Sequence, residues 1–278
     1  MNGIGVSGTP TQHSGAPDRG DLTGLIMVLG KYGLAVPLDL LMRSLGETHF
    51  GLFADLFEGV DIFRWHEDQQ HNILIGARNA LEAKLIADAR LGGPKGEIDF
   101  VRKVLIEVSE KGSSPAEQPE ISFAVELIKR VRDDSENSPN LAEYFRDLAA
   151  TLRELRLRRG VQNSRLLLQE ANMLREWAID QDRRRGPYTV EARLQTFDEA
   201  EEVCRQGLEL LGTVSANRDL RARLLVELAS ATASKTKSLI ASRSDMALIR
   251  LNYDSVRKTL QPRPPAFRPF LLGLSGCR

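Results

Sequence analysis

Apolar residues recur at three- and four-residue spacing along nearly the whole of this chain, and the period shortens to two only near residues 60–77. A chain patterned this way folds as packed amphipathic helices with one small β element. At the front, Leu22, Leu25, Ile26 and Leu29 share a helical face, and Gly30 and Gly33 close that helix. Pro37 suits a first helical turn, with Leu38, Leu41 and Leu45 on one side as far as Gly46. A third short helix is expected over 49–57, carrying Phe50, Phe53, Leu56 and Phe57. VDIFRWHE (60–67) and ILIGA (73–77) then read as strands, and the polar link between them makes a β-hairpin. Asn79 stands as a helix N-cap with Glu82 three residues on, close to a capping box. The helix it opens runs through Leu81, Leu85 and Ile86 to the breaker at 92–94.

Behind Pro94 the helical period is unbroken. Ile98, Val101, Leu105 and Val108 mark one helix, and Ile121, Val125, Ile128 and Val131 the next. Ser138-Pro139 opens a longer one through Leu141, Phe145, Leu148, Leu152 and Leu155 to Gly160. Further helices fit Leu167 to Ala178, Phe197 to Leu211, Leu220 to Leu228 and Leu248 to Leu251. Short breakers between successive amphipathic helices point to a stacked, degenerate tetratricopeptide-like array; an irregular bundle is the alternative. The repeat signal is a Glu-Ala pair at 170–171 and again at 199–200, near the ~34-residue period of such repeats.

The expected organisation is a disordered leader (1–20), a winged-helix domain (21–95), a helical-repeat domain (96–258) and a Pro-rich irregular tail (259–278). The fold class is mainly α. The N-terminal stretch has neither the basic nor the apolar region of a signal peptide, and no apolar run reaches the ~20 residues of a membrane span. With two cysteines, Cys204 and Cys277, no disulfide framework is expected, and the expected location is the cytoplasm.

Motifs of chemistry are weak. Gly3, Gly5 and Gly8 spell a dinucleotide fingerprint, but no strand precedes them. No Walker lysine motif occurs. His66-Glu67 and His71 approach a zinc-protease pattern with the second histidine one residue late, in a segment that reads as a hairpin. The expectation is therefore a non-enzyme without cofactor or metal.

Charge is divided unevenly. Residues 1–151 hold 15 Lys/Arg against 23 Asp/Glu, a net of −8, and residues 152–278 hold 23 against 15, a net of +8. The cations gather at Arg153, Arg156, Arg158 and Arg159 and at Arg183, Arg184 and Arg185. Their bland reading is solvated helix faces and helix C-terminal charges. Their functional reading is an acidic partner, a nucleic-acid backbone, or the acidic front half. The third front helix is apolar and acidic, which suits packing against a neighbouring domain better than reading bases.

The stretch 21–92, and most closely DIFRWHEDQQHNILIGARNALEAKLI (61–86), resembles the winged-helix region of STAND-class signalling ATPases, with weaker likeness to their repeats as far as about 258. In that family a P-loop module precedes the winged helix, and many members carry a nucleotide-reading histidine in it. Arg78-Asn79 stands at the matching step here, and no ATPase module lies ahead of it in this sequence. The resemblance implies a protein-interaction or regulatory module, with Phe53, Phe57, Arg78 and Asn79 as inter-domain contacts. A protein partner is expected; the alternative is a nucleic-acid-binding protein using the basic rear helices.

Overall fold

A computed structural model describes residues 19–46, 55, 57, 61–110, 118–134, 140–184, 187–212, 217–242 and 246–260. The protein is mainly helical with one small sheet. The order is α1 (Arg19–Lys31), β1 (Val36–Pro37), α2 (Leu38–Ser44), β2 (Phe63–Glu67), β3 (Ile73–Ala77) and α3 (Ala80–Arg90). There follow α4 (Pro94–Leu105), α5 (Pro119–Asp134), a 3₁₀ turn (Leu141–Tyr144) leading into α6 (Phe145–Arg159), α7 (Ser164–Arg184), α8 (Val190–Leu211), α9 (Arg218–Ala241) and α10 (Met246–Leu260). Among the described residues no helix is long and apolar enough to cross a membrane.

The strands form an antiparallel sheet in the order β1-β3-β2. Phe63 pairs with Ala77 and Trp65 with Ile75, so Phe63 and Ile75 lie on one face, and both are buried. Val36 opposite Ile75 and Pro37 opposite Leu74 add the third strand. Two residues are too few to show a period, so sequence reading places only a helix start at Pro37. A proline is admissible there because β1 is an edge strand. Helix α1 crosses β3 and α3 so closely that a Cβ at Gly30 would overlap the Ala77 methyl and stand 3.0 Å from that of Ala83. Of the helix expected over 49–57, Asp55 and Phe57 are described and the rest, Phe53 included, lies outside the described residues.

From α6 onward each helix packs against its successor, and α7 also touches α5 and α9. One continuous apolar core runs from Leu22 to Ala231, with Phe145, Trp177 and Phe197 among its fully buried side chains. Burying each such side chain is worth roughly 1.5–3 kcal/mol. A smaller separate cluster joins Leu168, Leu211 and Leu224.

Front and rear are also joined by buried charge. Lys31 Nζ donates to both Glu97 oxygens, at 2.9 and 2.8 Å, and lies 3.6 Å from Asp134. The Tyr32 hydroxyl donates to the same Glu97 carboxylate, and Arg130 Nη1 donates to the Tyr32 carbonyl at 3.1 Å. Burial pushes the Tyr32 phenol well above its ordinary range, and Glu97 adds to the shift. Burial alone would lower Lys31, but the hydrogen bond and charge of Glu97 raise it on balance. Nearby, Arg43 bonds the Glu107 carbonyl at 3.2 and 3.1 Å and pairs with Glu120, which also accepts from the Ser109 backbone and hydroxyl.

Candidate functional site

Two arginines of α6, Arg153 and Arg156, meet carboxylates of α7 and α8. Arg153 Nη2 donates to Glu199 of α8 at 3.1 Å, and its Nε lies 3.6 Å from Glu170 of α7. Arg156 Nη2 donates to both Glu170 oxygens at 3.2 and 3.4 Å, while its Nε is buried without a partner. The Glu170 side chain is only 2% exposed. Its burial pushes the carboxyl above the ordinary range, and the Arg156 and Arg153 guanidiniums pull it back down. Glu170 and Glu199 are the glutamates of the two Glu-Ala pairs, and both reach the same Arg153. Their neighbours Ala171 and Ala200 are fully buried. The repeated pair therefore does two things: the alanine keeps the helices close, and the glutamate meets the preceding cation.

The other cations divide. Arg158 is 77% exposed and pairs with Glu154 one turn earlier. Arg159 crosses to Glu107 behind α4, so it does reach the acidic front half. Arg184 pairs with Asp180 at 2.8 Å, Arg183 is exposed, and Arg185 lies outside the described residues. In the front unit Phe57 stacks edge-on against Phe63 at 5.4 Å and tilts against Trp65 at 5.2 Å. Asn79 Oδ1 accepts from the Leu81 N–H at 2.8 Å, and the Glu82 carboxylate turns to Arg78 at 3.1 Å. Each of these partners lies within the front unit. The charged residues that bridge front and rear, Lys31, Arg43, Glu97, Glu120 and Arg130 among them, carry no sequence signal beyond being charges on helices.

Two cavities adjoin along α6 and α8. One, of about 450 Å³, is lined by Arg153, Arg156 and Leu157 on α6 and by Gln195, Asp198 and Glu202 among others on α8. The second, of about 220 Å³, shares Arg153 and Glu199 and is lined also by Arg146 and Glu170. Arg146 stacks 5.0 Å over the Trp177 ring at its end. Leu157 stands 70% exposed on the rim. The result is a groove with a cationic wall (α6), an acidic wall (α8) and an apolar step. It can hold an extended chain carrying both charges.

The Cys204 thiol is fully buried, and that burial pushes it far above its ordinary range, with Glu227 adding to the shift. His71 pairs with Glu67 on the exposed hairpin tip. Among the described residues no three His, Cys, Asp or Glu side chains gather closely enough to hold a metal ion. No family model, curated protein or solved structure matches this chain.

Proposed function

We propose that this chain is a non-catalytic protein-interaction module, in which a winged-helix unit is fixed to a tetratricopeptide-like helical array, as in the rear of STAND-class signalling ATPases. The strand β1 between the first two helices, and the sheet order β1-β3-β2, support the winged-helix reading. The packing of each helix from α6 to α9 on its successor, with α7 also touching α9, supports the array. In this reading Arg78 and Asn79 brace the start of α3 and read no nucleotide, because their side chains are committed to Glu82 and to the Leu81 N–H.

The observation that carries the proposal is the two-walled groove between α6 and α8. It takes a protein segment whose acidic side chains face Arg153 and Arg156, whose basic ones face Asp198 and Glu202, and whose apolar anchor covers Leu157. Protein ranks above nucleic acid because Asp198, Glu199 and Glu202 line the α8 wall of the groove, and these carboxylates would repel a phosphate backbone.

The test is selection of displayed random peptides on the full chain, followed by binding of the enriched peptides to Leu157→Asp. The side chain is exposed, so the change leaves the core intact. Enriched peptides should carry mixed charge around an apolar residue and bind the variant at least about tenfold more weakly. Enrichment of nothing, or equal binding to both proteins, would refute the groove as the working surface.

A further inference from the structure

A third cavity, of about 320 Å³, opens between α5, α7 and α9 and shares no lining residue with the groove. Its size falls at the lower end of small-molecule pockets, roughly 300–1,000 Å³. Val125 of the main core and Leu168 of the small separate cluster both line it, with Leu220 beside them. It therefore sits where two apolar clusters fail to merge.

Its polar lining is unbalanced. Arg165 donates to the Ser122 hydroxyl at 3.1 Å and has no carboxylate partner among the described residues. Burial pulls its guanidinium below the ordinary value, the mark of a cation without a nearby countercharge. Among the described residues Lys129 has only a loose 3.8 Å approach to Glu126. Arg223 and Asp219 neutralise each other at 3.0 Å. The first turn of α9 borders the cavity, and its cap residue Asn217 makes no side-chain cap hydrogen bond. That end of the helix adds partial positive charge. Gln169 is 3% exposed, and its Oε1 is buried with no hydrogen-bond partner. Native proteins rarely leave such an acceptor unmet.

We propose that this cavity binds a small organic anion with an apolar body and one hydrogen-bond donor. The anionic head sits on Arg165 and Lys129 beside the start of α9, the donor meets Gln169 Oε1, and the body covers Val125, Leu168 and Leu220. A carboxylate and a phosphate monoester share the chemistry of that head, and a guanidinium suits either. The site does not depend on the peptide groove, and either can fail alone.

The experiment is calorimetric titration of the full chain with three probes: N-acetyl-L-phenylalanine, 4-acetamidophenyl phosphate and N-acetyl-L-phenylalaninamide. At least one of the two anions should bind, and the neutral amide should not. Preference for the first identifies an organic acid, and preference for the second a phosphate ester. Arg165→Gln should weaken the bound anion at least about tenfold. Leu220→Trp fills the cavity without touching its charges and should block binding, which keeps the test decisive if the arginine variant folds poorly. Binding of neither anion at about 10 mM, weaker than any specific site of this size, would overturn the proposal. So would equal binding of the amide, or full affinity in both variants.

Discussion

Glu97→Ala is the change that most directly probes how the front unit is held to the rear. Glu97 and Lys31 expose only 7% and 9% of their side chains, so neither charge is well solvated once its partner is gone. Removing one member of a buried pair typically costs about 3–5 kcal/mol. Asp134, 3.6 Å from Lys31, remains as a partial substitute, which places the expected loss near the lower end, about 3 kcal/mol. That is a large share of the ~5–15 kcal/mol by which a domain is normally stable. The Tyr32 hydroxyl loses its acceptor in the same change. Lys31→Met with Glu97→Leu replaces the pair by apolar groups of similar length, leaves no orphaned charge, and should recover most of the loss. Urea unfolding followed by fluorescence reads the two halves separately in single-tryptophan backgrounds, Trp177→Phe leaving Trp65 on the front hairpin and Trp65→Phe leaving Trp177 in the rear core. In the parent protein the two signals should coincide, as one continuous core implies. In Glu97→Ala the Trp65 signal should move first. A single change costing under about 1 kcal/mol, or a double change as damaging as the single one, would show that the pair contributes little.

Three further outcomes are expected. Asn79→Ala should cost about 0.5–2 kcal/mol in thermal or urea unfolding, and Asn79→Asp much less, since aspartate caps comparably; equal losses would contradict the capping role. Stability should fall as pH rises beyond about 9. Cys204, Tyr32 and Lys31 all hold their protons more tightly folded than at their ordinary values of 9.0, 10.0 and 10.5, so the unfolded chain binds fewer protons there and gains with alkalinity. A urea midpoint flat between pH 8 and 11 would be the contrary result. Arg156→Glu, at a side chain 19% exposed beside buried Glu170, should destabilise by about 3–5 kcal/mol, whereas Arg158→Glu, at 77% exposure, should cost under about 1; similar losses would show that Glu170 does not depend on its arginine.

What could be read from the sequence was local. The hairpin shows in the two-residue period of 63–67 and 73–77, and the Asn79 cap in a hydrogen bond spanning two residues. The ion pairs Lys31–Glu97 and Arg43–Glu120 join positions 66 and 77 apart, and helical periodicity cannot tell a solvated charge from one that meets a distant helix. The strand β1 escaped because two residues carry no period. The α6 arginines were visible as charge, but their partners were not. One clue did point to the groove: the paired Glu-Ala steps at 170 and 199 looked like a repeat remnant, and their glutamates converge on Arg153. Gln169 and Arg165 gave no signal at all, since an unmet acceptor or an uncompensated cation is a property of the surroundings.

Hydrogen exchange of the full chain, with and without a peptide enriched on it, tests the interaction reading most directly. The account predicts slowed exchange confined to residues 153–159 of α6 and 195–206 of α8, the two walls of the groove, with the front unit unchanged. Protection centred on α3 or the β2–β3 hairpin, with α6 and α8 exchanging as before, would contradict it.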